Sequence, residues 1–229
     1  MDDSLQPVNL GYAVPSVDQR NRVLRNTYWL LALSMVPTVL GAWLGVSTGI
    51  VASMGVGMSF IVFMVGAFGF IYAIEKTKNS AAGVPVLLAF TFFMGLMLSR
   101  ILAFVLGREG GPALVATAFG GTALAFLAMA TLSTVIKRDL SSMGKFLTVG
   151  AVMLLVAIVL NLFVQSAALF VTIAVVMVSI FSAFIVYDLK RVRDGLETNY
   201  ISATLAIYLD LYNVFQALLS LLGFAGSRD

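Results

Sequence analysis

Asp210 is the residue on which chemistry in this chain turns. It stands near the middle of the stretch Glu197 to Phe224, which is long enough to cross a bilayer as a helix, since a span needs ~20 residues. A carboxylate at that depth costs ~2.5–3.5 kcal/mol on insertion scales, so it must face protein, water or a partner. Asp188, just before Lys190, Arg191 and Arg193, is the nearest acid by connectivity. Two carboxyl groups sharing one site cannot both ionise cheaply, so they share a proton and form a pH-sensitive latch that attracts cations once deprotonated. Carboxylate oxygens suit calcium, yet two carboxylates fall short of its ~6–8 oxygen ligands, so a weak site is expected, closer to permeation than to storage. Asn213 and Tyr208 are candidates to add ligands. The competing reading makes Asp210 and Asn213 interhelical polar glue and Asp188 a loop acid balanced by its basic neighbours.

Arg100 is the other charge inside an apolar segment. It either snorkels to the outer interface or serves as a buried counter-ion to an acid. The chain contains no cysteine and no histidine, which excludes disulfides, thiolate chemistry and histidine-ligated metals. No nucleotide motif, nucleophile–base pair or metalloprotease motif is present, so the chain reads as a non-enzyme without a cofactor. A retinal protein is excluded because the last span carries no lysine for the Schiff base.

The elements that must hold these residues are membrane helices. Of 229 residues, 60% are hydrophobic and only 11% charged, against about 25% charged in soluble domains. The spacing predicts seven spans: Thr27 to Val46, Ile50 to Ile74, Val84 to Leu106, Pro112 to Ile136, Phe146 to Val164, Ala168 to Tyr187, and the stretch that holds Asp210. A polar tail over 1–26 precedes them, followed by one transmembrane domain over 27–229. Asn199, Ala203, Ala206, Asp210, Asn213, Ala217 and Ser220 fall on one small, polar stripe of the last helix, which in lipid is expected to be its packing face. A simple hairpin about Leu196 would set Asp188 opposite Thr204, ~9 Å short of Asp210 at ~1.5 Å per residue. Gly41 and Gly45 form a GxxxG pair, and Gly66, Gly69, Gly95 and Gly120-Gly121 read as further points of close contact.

Loop charge sets the expected orientation. With the N-terminus inside, the inner segments hold eleven Lys and Arg and the outer ones only Arg108 and Arg228, Arg100 being within a span. The positive-inside rule then puts the N-terminus in the cytoplasm and the C-terminus in the periplasm.

Leu24-Arg-Asn-Thr-Tyr-Trp-Leu-Leu-Ala-Leu33, Phe119-Gly-Gly-Thr-Ala-Leu-Ala-Phe126, Glu197-Thr-Asn-Tyr-Ile and Leu219-Ser-Leu-Leu-Gly-Phe224 together resemble the Bax inhibitor-1 (transmembrane Bax-inhibitor-motif) family, in its bacterial YccA-like branch. The resemblance covers nearly the whole chain after the first twenty residues. It implies an all-α membrane protein of the bacterial inner membrane, with six helices wrapped around a central seventh. It also implies a pH-dependent calcium leak controlled by two aspartates, matched here by Asp188 in Ile185-Val-Tyr-Asp188 and Asp210 in Ile207-Tyr-Leu-Asp210. A second implied activity is modulation of the membrane protease FtsH, with the N-terminal tail as its recognition segment. The chain departs from the family pattern at Ser99-Arg100, where Gly-Pro is usual.

Overall fold

The computed structural model describes residues 15–225. Its elements are α1 (Val17–Thr48), α2 (Ile50–Ser53), α3 (Val56–Thr77), α4 (Gly83–Leu106), α5 (Gly111–Val135), α6 (Ser141–Val164), α7 (Ala167–Arg193) and α8 (Tyr200–Ala225), with no strand among the described residues. All but the one-turn α2 are long and apolar enough to cross a membrane, giving the seven expected spans.

Three boundaries differ from the sequence expectation. Helix α1 begins at Val17, so residues 17–26 of the expected tail are helical, and residues 1–14 lie outside the described residues. The cause is a reciprocal cap: Ser16 Oγ accepts from the Gln19 N–H while the Gln19 side chain accepts from the Ser16 N–H. At ~1.5 Å per residue α1 is about 48 Å long, more than the ~30 Å hydrocarbon core needs, so its polar first turns project beyond the apolar layer. The expected span from Ile50 to Ile74 is broken into α2 and α3. Gly49 closes α1 in the left-handed conformation (φ 66°), and Gly55 opens α3. Carbonyls freed at the break are taken up by side chains: Ser59 Oγ donates to Val51 O and Met54 O, and Arg100 Nη1 donates to Met54 O at 2.9 Å. A break at the ends of two spans is tolerated because protein groups satisfy the freed carbonyls in this way. Finally, α7 continues to Arg193, so Asp188 lies inside the helix rather than at its end.

Every loop rich in Lys or Arg lies at one end of the bundle. Asn199 Nδ2 donates to Lys78 O and to Asn79 Oδ1, tying the start of α8 to the α3–α4 turn. Arg193 Nη2 donates to the Ser133 carbonyl near the end of α5, and Gly195 packs on the Arg20 side chain of α1. In the α5–α6 turn at the same end, two hydrogen bonds from Ser141 hold the Asp139 carboxyl below the usual carboxylate range.

Small residues set the closest crossing. Helices α1 and α4 form the most extensive contact in the molecule. A Cβ on Gly41 would strike the Phe92 carbonyl, one on Gly45 the Ser99 side chain, and one on Gly95 the Thr38 carbonyl. The GxxxG pair is therefore a real packing face; α4 runs unbroken through Ser99-Arg100, and Ser99, 1% exposed, lies against Gly45. Gly66 likewise receives the Phe93 ring. Gly69 and Gly120 face open space and are not packing positions, whereas a Cβ on Gly121 would press on the Leu218 side chain at 3.3 Å.

Helix α8 occupies the middle, against α1, α3, α4, α5 and α7. Helix α6 lies further out on α7, joined to the centre through Leu154, Met177 and Ala217. No residue from Tyr200 to Phe224 is exposed. The small, polar stripe is thus not the only inward face: Ile207, Val214 and Leu219, off the stripe, are 0% exposed. A helix surrounded by others has no lipid face to set apart. The outer surfaces carry the exposed apolar side chains, among them Trp29, Trp43, Phe68, Leu124, Phe146 and Phe163, as a lipid-facing bundle requires.

Candidate functional site

The last turns of α7 and the first half of α8 build the site. Helix α7 ends in a cap of three backbone bonds, Asp194 N–H to Lys190 O, Gly195 N–H to Val192 O and Leu196 N–H to Arg191 O. Gly195 provides the left-handed residue (φ 79°) that such a cap needs. Helix α8 starts anew with Asn199, whose Oδ1 accepts the N–H groups of Ile201 and Ser202.

The Asp188 and Asp210 carboxyl groups are neighbours, close enough to act on one another electrostatically. The offset predicted by a simple hairpin is absorbed by the linker. Asp188 sits roughly 7.5 Å before the end of α7 and Asp210 roughly 15 Å beyond the start of α8. The linker between Arg193 and Tyr200 brings the two acids together; its first part is held on α7 by the Leu196 and Glu197 N–H groups, both bonded to Arg191 O.

The two acids have unlike surroundings. Asp210 is 4% exposed, and its Oδ2 has no hydrogen-bond donor among the described residues. Asp188 lies nearer the basic end, 3.8 Å from Arg191 Nη1, with Glu197 adding negative charge nearby. Arg191 also stacks on Tyr187, 5.6 Å from the ring centre. Lys190 pairs instead with Asp194 at 2.6 Å. An unpartnered buried carboxylate oxygen facing a second carboxyl is suited to a shared proton or to a cation. Among the described residues no third acid joins them in a metal-holding cluster.

The other candidates go elsewhere. Tyr208 turns away from the aspartates: its hydroxyl pairs with Thr38 Oγ1 at 2.8 Å and donates to Thr91 O. Tyr212 similarly donates to Met94 O. These phenols tether α8 to α1 and α4. Asn213 Nδ2 bonds back to Leu209 O in its own helix. Among the described residues Arg100 meets no acid; it points to the end opposite the basic loops, as snorkelling would have it, but is fixed there on Met54 O and Ser59 Oγ. Sequence reasoning missed Asn199 as an anchor, and of the three bases it set beside Asp188, Arg191 is the one that pairs with it. That pairing was legible as an acid and a base three apart on one helix.

Asn199 therefore sets the height of α8 against α7. Asn199→Ala removes both the cap and the tie to Lys78 O and Asn79, and is expected to lower stability by about 1–2 kcal/mol. An unfolding series in detergent measures this. Asn199→Asp, which keeps the cap but loses the amide donor, should fall between the two.

Comparison with known proteins agrees with this architecture. The family model "Inhibitor of apoptosis-promoting Bax1" matches residues 20–227. The protein named modulator of FtsH protease YccA from Escherichia coli is 38% identical over 209 residues, 91% of this chain and 92% of its own. An uncharacterised membrane protein of Vibrio cholerae is 36% identical over 215 residues, 92% and 93% of the two chains. An uncharacterised protein of Pseudomonas aeruginosa is 34% identical over 229 residues, 98% and 99% of the two. With seven membrane helices and these relatives along its length, the chain is a multi-pass inner-membrane protein that belongs to the Bax inhibitor-1 family.

Proposed function

We propose that this protein is a non-enzymatic modulator of a membrane-anchored protease of the FtsH kind, and a substrate of it. The observation that carries the reading is the identity to the protein named modulator of FtsH protease, 38% over nine-tenths of both chains, through the whole bundle rather than one segment. The architecture is compatible. Little of the described chain lies outside the helices, so a partner embedded in the bilayer would meet chiefly lipid-facing helix surfaces, and the polar N-terminal sequence is the proposed recognition segment for its soluble domain. The test is co-isolation of the full-length protein with the membrane protease of its host, together with its half-life in cells. Removing residues 2–14 leaves the Ser16–Gln19 cap in place, so the bundle is expected to fold while its half-life lengthens several-fold. An unchanged half-life sinks the tail's role; no co-isolation and no change in protease activity when the gene is deleted would sink the reading itself.

A second reading rests on a separate observation, the meeting of Asp188 and Asp210. In it the pair latches α7 to α8 and controls a leak of calcium or another cation, with calcium the ion that passes rather than a resident metal. Proton sharing holds the helices together; loss of the shared proton sets two negative charges face to face and draws a cation between them. The two readings are compatible in one molecule, since a protease can respond to a bundle that changes shape.

A further inference from the structure

At the end of the bundle opposite the basic loops, α4, α7 and α8 enclose a cavity of about 440 Å³ whose lining includes Arg100, Phe104, Phe170, Gln216, Ser220 and Phe224. Its size falls within the ~300–1,000 Å³ of small-molecule sites. The polar groups in the lining are Arg100 from α4 and Gln216 and Ser220 from α8. Arg100 uses Nη1 on Met54 O and Ser59 Oγ, which leaves Nη2 and Nε without a hydrogen bond among the described residues. No ion pair among the described residues includes Arg100. The Gln216 side chain likewise makes no hydrogen bond there, although its backbone carbonyl accepts from Ser220. Phe104 and Phe170 are 55% and 36% exposed, so the mouth is apolar. Arg108 caps that rim, its guanidinium 4.3 Å from the Phe104 ring centre.

We propose that this cavity binds an anionic phospholipid, its phosphate on Arg100 and Gln216 and the start of one acyl chain along Met97 and Ile101. An uncompensated cation within a membrane span calls for an anion, and a guanidinium with Nη2 and Nε free offers the fork that a phosphate accepts. Depth agrees: Met54 lies in the break at the end of the bundle, so Arg100 is held at headgroup level rather than mid-bilayer. The apolar mouth makes the bilayer, not water, the route of entry.

The experiment measures lipid retention by the full-length protein. Delipidated protein in detergent is offered phosphatidylglycerol, phosphatidylcholine with the same chains, or oleate, and bound lipid is counted by native mass spectrometry. Phosphatidylglycerol is expected to bind about tenfold more tightly than phosphatidylcholine, the worth of a charge-assisted contact. Arg100→Gln removes the charge, and Ser220→Phe fills the cavity while leaving the Arg100 bonds to Met54 and Ser59; both should abolish the preference. Should Arg100→Gln fail to fold, Ser220→Phe decides alone. Equal binding of the two phospholipids by the unaltered protein overturns the proposal. So does a preference that survives in Ser220→Phe, or retention of oleate in place of phosphatidylglycerol.

Discussion

Asp210→Asn is expected to abolish the pH dependence of calcium flux in liposomes that contain this protein, while leaving the protein folded. The physical reason lies in what the amide replaces. A hydrogen bond between Asp188 and Asp210 requires one proton held between the two carboxyls. Asparagine carries its own N–H donors at every pH and has nearly the same shape. It can therefore bond to Asp188 whether or not a proton is available, and the repulsion that opens the latch cannot arise. Asp188→Asn should flatten the profile less completely. It leaves Asp210 as the remaining acid, with an amide beside it, and it also releases Arg191 from its 3.8 Å pairing. The charged groups about Asp188 are Asp210, Arg191 and Glu197, so the last two set the background that the mutants keep. If Asp210 is only polar glue, the substitution shifts stability by about 1 kcal/mol and the flux profile stays as it was. Identical profiles for native protein and both mutants, at matched protein content across mildly acidic to mildly alkaline pH, would remove the latch from consideration.

The second large effect belongs to the crossing of α1 and α4. Gly95→Leu is expected to prevent formation of a stable bundle, and Gly95→Ala to cost about 1–3 kcal/mol, the range of overpacking. The neighbours of the added Cβ decide this. They are the Thr38 carbonyl and the Ala42 nitrogen, all backbone, with no flexible side chain to swing aside. Helix separation must therefore increase. Tyr208, bonded to Thr38 Oγ1 on one helix and to Thr91 O on the other, would lose its geometry with it, so α8 is loosened as well. Gly120→Ala is the control: nothing lies within 4 Å of its added Cβ, so the change should be neutral or raise stability by at most ~1 kcal/mol through helix propensity. Unfolding midpoints and the monodisperse fraction after extraction give the comparison. Equal behaviour of Gly95→Ala and Gly120→Ala would contradict the packing account.

Apolar run length and loop charge by themselves determined that this chain crosses a membrane seven times, because burying an unpaired backbone in lipid leaves helices as the available solution and hydropathy reads them directly. They also singled out Asp210, since the cost of a carboxylate at mid-span holds whatever surrounds it. What only the tertiary structure decided is where side chains at the ends of reach go. Asn199 is bonded to a turn 120 residues away in sequence, and that tie sets the height at which Asp210 passes Asp188. Tyr208 lies on the same helix as Asp210 but faces α1 and α4, because α8 is enclosed on all sides and has no single inward stripe. Arg100 found a broken helix instead of an acid, through a gap at Met54 that glycines at 49 and 55 opened. Gly95 and Gly120 are the same residue in similar apolar runs, and whether another backbone crosses at that height is set by the partner helix, not by the residue's own neighbours in the chain.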